Sequence, residues 1–183
     1  VLALLPTSDA LAFPQVSTRL TNGVSFVPES GAREGAPFAY SMGVVTDVLL
    51  GPRLPDRFRI GPTLDLRTRG FRTFEPTAFV TAAVPTLSGF PLTVGLGAGP
   101  ALRLDGANGL QACGRIAWGF RPFDYYAYGY GLQVFVDARR GVFGFDRWDV
   151  TAGIEIDLEW LVFAPAMFVW NYIRGTPAEE EVP

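Results

Sequence analysis

No histidine occurs in the 183-residue chain, which excludes every mechanism that turns on imidazole, a Ser-His-Asp triad and the common zinc hydrolase sites among them. A single cysteine, Cys113, excludes an intrachain disulfide framework and a four-thiolate zinc centre. Charge is scarce as well: Asp, Glu, Lys and Arg make up 18% of the residues, the formal net charge is -3, and the basic residues are scattered. A nucleic-acid partner needs a positive stripe or patch, so none is expected. Long apolar runs are also missing. A spanning helix takes roughly 18 or more uninterrupted apolar residues, and the nearest stretch, LVFAPAMFVWNYI at 161–173, is shorter and holds Pro165.

What is abundant points to sheet. Hydrophobic residues make up 49% of the chain and aromatics 14%, while 21 Gly and 15 Pro interrupt them everywhere. Such a load suits strands and an interfacial surface better than linkers or a charged helical protein. The length allows one domain or one closed barrel.

The main signal is a two-residue period. In 148–160, Trp148, Val150, Ala152, Ile154, Ile156, Leu158 and Trp160 alternate with Asp149, Thr151, Gly153, Glu155, Asp157 and Glu159. A helix would smear those carboxylates around its circumference, whereas a strand puts them all on one side. In 126–139 the even positions are apolar, while the odd ones are Ala127, Gly129, Gly131, Gln133, Phe135, Asp137 and Arg139, a face mostly small or charged. Phe58, Ile60, Leu64 and Leu66 oppose Arg59, Asp65, Arg67 and Arg69 in the same way; Leu92 to Leu104 oppose glycines with Arg103 and Asp105; Leu110 to Phe120 oppose Gln111, Cys113, Arg115 and Arg121. Val45 and Leu49 weaken the face formed in 38–50, and 16–27 and 75–87 leave their polarity open. Eight strands are expected, at 16–27, 38–50, 57–69, 75–87, 91–105, 110–121, 126–139 and 148–160. Turn formers such as Ser88-Gly89 and Asp105-Gly106-Ala107-Asn108-Gly109 separate them, and no interval offers a crossover helix. The expected fold is therefore all-β, an eight-stranded antiparallel up-and-down barrel over 16–160. An N-terminal segment at 1–15 precedes it, and an apolar extension with an acidic tail at 161–183 follows it. The N-terminal VLALLPTSDALA reads either as the end of a signal peptide or as an interface arm.

Alternation does not say which face looks inward. Three features favour an apolar face turned toward lipid. The polar face combines glycine with charges of both signs, expected to pair across a narrow lumen as Asp65, Arg67, Arg103, Arg115, Asp137, Arg139, Glu155 and Asp157. The segments exceed the roughly 9 to 11 residues of a tilted spanning strand. Aromatics gather near strand ends, giving one girdle from Trp118, Phe120, Tyr126 and Trp160 and another from Phe71, Phe143 and Trp148.

The strand count and parity over 16–160 resemble the small eight-stranded outer-membrane barrels of Gram-negative bacteria. That resemblance implies localisation in the bacterial outer membrane, both termini on the periplasmic side, and odd-numbered hairpins facing outward. The chain departs from the pattern in continuing well past Trp160 and in its short outer loops.

Asp149, Glu155, Asp157 and Glu159 include i, i+2 carboxylates at a spacing compatible with glycosidase chemistry, but arginines on the same face account for them as ion pairs. No enzyme activity, metal or cofactor is expected. The segment WLVFAPAMFVWNY is apolar on all sides and is expected either to extend the last strand, to form a short helix at the barrel end, or to dock another envelope subunit. The contact residues in that last case are Trp160, Phe163, Met167, Phe168, Trp170 and Tyr172, and loop 140–147 is a second candidate contact. The expected partners are outer-membrane lipid and other envelope subunits. The leading function is a structural or interaction protein of the outer membrane; the rivals are a small solute or lipid channel and a soluble carrier of hydrophobic ligands with the faces reversed.

Overall fold

The computed structural model describes residues 13–27, 37–52, 57–106, 108–121, 131–158, 165–166 and 169–170. Eight strands follow in chain order: β1 (Phe13–Phe26), β2 (Phe38–Gly51), β3 (Arg59–Arg69), β4 (Thr73–Leu87), β5 (Phe90–Arg103), β6 (Gly109–Phe120), β7 (Leu132–Phe143) and β8 (Trp148–Asp157). Each pairs antiparallel with its sequence neighbours, and β1 also pairs with β8. The all-β up-and-down barrel expected from the alternation is thus closed, with no exposed sheet edge.

Register sets the shape. Following paired residues once around the wall leads from Pro14 through Leu50, Ile60, Ala82, Val94, Ile116, Val136 and Ala152 back to β1 at Val24. A stagger of that size over eight strands tilts them by roughly 40° to the barrel axis. A 12-residue strand such as β6 then rises roughly 30 Å, about the thickness of a bilayer's hydrocarbon core.

Within the wall, one parity holds: the buried side chains of every strand are odd-numbered, and the exposed ones are even-numbered except for Pro85, Leu87 and Phe143 near strand ends. This resolves the strands whose polarity the sequence leaves open. In β1, Arg19, Thr21 and Ser25 point inward; in β4, Glu75, Thr77, Phe79, Thr81 and Ala83 do. Thr18 and Asn22 blur the outer face of β1, and the Tyr40 hydroxyl donates to the Asn22 side-chain oxygen there.

Several expected boundaries are corrected. β1 starts at Phe13, so 13–15 belongs to the barrel, because β1 stays in register with β2 down to Phe13 opposite Gly51. β8 ends at Asp157, and Leu158 is already helical, so the barrel closes before Trp160. β7 was expected at 126–139; 126–130 lie outside the described residues, and at its other end the strand continues to Phe143. Gly141 stays in register opposite Gln111, and a bulge between Leu110 and Gln111 lets Phe143 pair with Leu110, so part of the expected 140–147 loop is wall.

The inside is filled by unequal side chains. Val45, Leu49, Phe79, Ala83, Ala117 and Phe135 are buried in the lumen beside the charged groups. Gly97 makes room for one of them: a Cβ added there would lie 2.7 Å from the Phe79 ring. Pro76 and Pro100 take outward positions where the ladder is thin. No pairing is recorded between Phe74–Leu102 and Ala78–Ala98, the interval that contains Pro76 and Pro100, as expected of residues with no N–H to donate.

At one end lie the β1–β2, β3–β4, β5–β6 and β7–β8 hairpins; both ends of the barrel sequence lie at the other. β3 and β4 are joined by Arg69-Gly70-Phe71-Arg72, closed by the Arg72 amide donating to the Arg69 carbonyl at 3.1 Å. Both central residues have positive φ, 55° at Gly70 and 54° at Phe71, as in the two-residue turns that match strand twist. Glycine adopts that backbone freely, whereas an aromatic residue does so at a cost.

Candidate functional site: an ion-paired lumen

The inner wall carries one connected set of ion pairs. At its centre Asp65 receives Arg67 at 2.8 Å, Arg139 at 3.1 Å and Arg115 at 3.3 Å. Asp137 receives Arg67 at 2.5 Å, Arg139 at 3.5 Å and Arg115 at 3.7 Å. Toward the chain-terminal end, Arg115 and Arg19 both reach Glu155, Arg19 also reaches Asp47 at 2.5 Å, and Arg121 reaches Asp47 at 2.6 Å. Toward the hairpin end, Arg139 meets Glu75 at 2.8 Å, Glu75 meets Arg69, and Arg69 meets Asp149. The chain of contacts thus runs nearly the full height of the lumen, and every member is buried.

Its composition is balanced: Arg19, Arg67, Arg69, Arg115, Arg121 and Arg139 face Asp47, Asp65, Glu75, Asp137, Asp149 and Glu155. Buried charge on this scale is tolerable only when it is paired and hydrogen-bonded. All the basic residues of the chain are arginines, whose planar fork of five donors can bridge carboxylates on different strands where a lysine ammonium could not match the geometry. The Arg67 and Arg115 guanidinium carbons also lie 5.0 and 4.9 Å from the Phe135 ring centroid, so one aromatic ring meets two like charges. Outside the strands, Arg147 is partly buried by its loop; that burial and then the nearby Arg69 charge lower its pKa from the usual arginine value.

Of the residues singled out from sequence, Asp65, Arg67, Arg115, Asp137, Arg139 and Glu155 meet in this network. Asp157 sits nearer the chain-terminal end, where the Ser17 hydroxyl donates to it at 3.2 Å. Arg103 does not join them. It lies at the last paired position of β5, half-exposed, and binds the exposed Asp105 at 2.8 Å in the hairpin. Sequence reasoning left Arg19, Asp47, Glu75, Arg69, Arg121 and Asp149 out of the set. Their odd numbering was the available signal, and only the closed wall makes that parity a rule for every strand.

Glu155, one of the carboxylates spaced for acid–base chemistry, is held by two arginines; Glu159 lies outside the described residues. Among the described residues no cluster of metal-binding side chains occurs. Cys113 is buried on the inner face.

The outer face has the opposite character. Among the even-numbered positions of the eight strands, Arg140 is the sole ionisable carboxylate or guanidine residue, at the hairpin end of β7. Leu96, Val80, Ile116, Val134 and Val136 stand half or more exposed midway along the wall. Aromatic rings mark both ends. Phe90 lies 5.7 Å from Trp118 and 5.5 Å from Phe120 at one; Phe26 lies 5.4 Å from Phe38, and Tyr40 lies 6.2 Å from Phe71, at the other, where Phe143 and Trp148 are also exposed. Tyr126 and Trp160 lie outside the described residues, as do Phe163, Met167, Phe168 and Tyr172 of the apolar extension. The described residues of that extension, Pro165, Ala166, Val169 and Trp170, are helical and exposed.

No protein-family model matches the chain, and no curated protein or solved structure proves similar to it.

Proposed function

We propose that the chain is a membrane-spanning scaffold of the bacterial outer membrane, a structural or interaction protein that acts in lipid alone or as one subunit of a larger envelope assembly. The observation that supports this reading is the distribution of charge: the outer strand positions carry Arg140 alone, while paired arginines and carboxylates fill the inside. Lipid is the solvent that favours such an exterior. The reversed-face carrier would need apolar side chains inside, and the interior here is mostly charged or hydroxylated. With both ends of the barrel at one rim, a periplasmic placement of the termini puts the four short hairpins outside the cell. The helical Val169 and Trp170, each more than half exposed, offer an apolar surface to a neighbouring subunit.

Ion conduction is the rival use of the same architecture. An eight-stranded barrel has an interior just wide enough to be filled by side chains, and here the ion pairs occupy it in three dimensions. Purified chain reconstituted into a planar lipid bilayer is expected to leave conductance at the protein-free baseline. Reproducible single-channel steps that scale with salt concentration would replace the scaffold by a channel.

A further inference from the structure

Between the β3–β4 and β5–β6 hairpins lies a groove of about 340 Å³ that no lumen residue lines. Its lower wall is the lipid-directed face of the barrel, Phe74 and Leu102, which are 46% and 43% exposed, while Leu104, 82% exposed, lies level with Arg72. Two arginines, Arg72 and Arg103, line the groove above that face. The Leu104 amide donates to the Arg72 carbonyl at 3.0 Å, and Thr73 pairs with Arg103, so the backbone fixes the two hairpins against each other.

The two cations differ in their partners. Arg103 binds Asp105 at 2.8 Å, and the Asn108 side chain accepts its backbone amide; a guanidinium with five donors retains several for another acceptor. No carboxylate among the described residues pairs with Arg72, so the groove keeps a net positive rim. Phe71 adds an independent sign. It is held at a φ of 54° with its ring 65% exposed, a conformation an aromatic residue adopts at a cost and that glycine would adopt freely. The turn sets that ring on the outer rim of the same groove.

We propose that this groove seats an anionic phospholipid, its phosphate between Arg72 and Arg103 and its acyl chain along Phe74 and Leu102. The proposal rests on the reading of the barrel as membrane-spanning and deepens it by naming the lipid chemistry. Arginine suits the role because its fork matches two phosphate oxygens at once. An apolar wall directly beneath a positive rim matches the order of headgroup and chain in a bilayer, and a free anion in water would leave that wall unused. Arg140 stands outside this groove and serves as an internal control.

The test titrates the full chain, folded in nonionic maltoside micelles, with dioleoyl phosphatidylglycerol and separately with dioleoyl phosphatidylcholine, and reads bound lipid by native mass spectrometry. The wild type is expected to retain the anionic lipid preferentially. The double variant R72Q/R103Q should weaken that retention at least about tenfold, and R140Q should leave it near the wild-type level. Equal retention of the two lipids by the wild type, or unchanged retention in the double variant, would overturn the proposal. The wild-type comparison decides the matter even if the double variant does not fold. Heat-dependent migration of the same samples separates the two levels: a barrel that folds only in detergent yet shows no headgroup preference loses the lipid site alone, whereas a chain that folds without detergent loses the site and the membrane reading together.

Discussion

Replacing Asp65 by Asn should lower the stability of the folded barrel by about 3–5 kcal/mol, the penalty typical of removing one partner from a buried ion pair. Asp65 is fully buried and receives Arg67, Arg115 and Arg139. Asparagine keeps the volume and one acceptor oxygen, so the change isolates charge from packing. Three guanidinium groups would then share Asp137 as their nearest central carboxylate, and their desolvation would go partly uncompensated. The check is the urea midpoint for unfolding from detergent micelles. Asp105→Asn is the matched control: Asp105 is exposed and its partner Arg103 half-exposed at the rim, where an ion pair contributes about 0–1 kcal/mol. Adding Arg67→Gln to Asp65→Asn restores neutrality and should recover part of the loss, so the two changes should not be additive.

Leu96→Arg should be nearly as costly, about 2–4 kcal/mol when the barrel is folded in lipid. Leu96 faces outward near the middle of β5, 73% exposed, opposite Val80 and Gly114. A cation there would sit at the depth where hydrocarbon is thickest. The same substitution at Leu87, also outward but at the rim of the β4–β5 turn, should cost about 0–1 kcal/mol because its head can reach the interface. If the outer face met water, both changes would replace an exposed leucine by an exposed arginine, and each would stay within about 0.5 kcal/mol of the parent. The depth dependence therefore separates lipid from water on one pair of variants, by equilibrium unfolding from vesicles.

The legible part of the fold was local. β3, β5, β6 and β8 alternate cleanly enough that Arg67, Arg115 and Glu155 could be assigned to one face and Leu66, Ile116 and Ile154 to the other. β1 and β4 were harder because Thr18 and Asn22 sit on the apolar face and Phe79 and Ala83 on the polar one. A lumen this narrow needs bulk as well as charge, and Val45, Leu49, Phe79 and Phe135 supply it from inward positions that read as defects in the pattern.

The network itself was only half legible. Side-chain direction follows from parity, but partnership follows from register, and Arg19 meets Glu155 through the closing pairing of β1 with β8. No local pattern encodes that contact. Arg103 shows the converse error: its parity is right for the lumen, yet it stands at the last rung of β5, where the chain is already turning and Asp105 is the nearer partner. Parity predicts direction only for residues held within the wall on both sides.

The central claim is that the even-numbered face meets lipid around an ion-paired core. The most direct test is migration on a gel of the purified full chain, unheated beside boiled, after folding with and without detergent micelles. A mobility difference that appears only with detergent is the predicted result, since the closed barrel resists the loading buffer until heated. A compact soluble monomer formed without detergent would contradict the account and turn the search toward a partner that covers the apolar exterior.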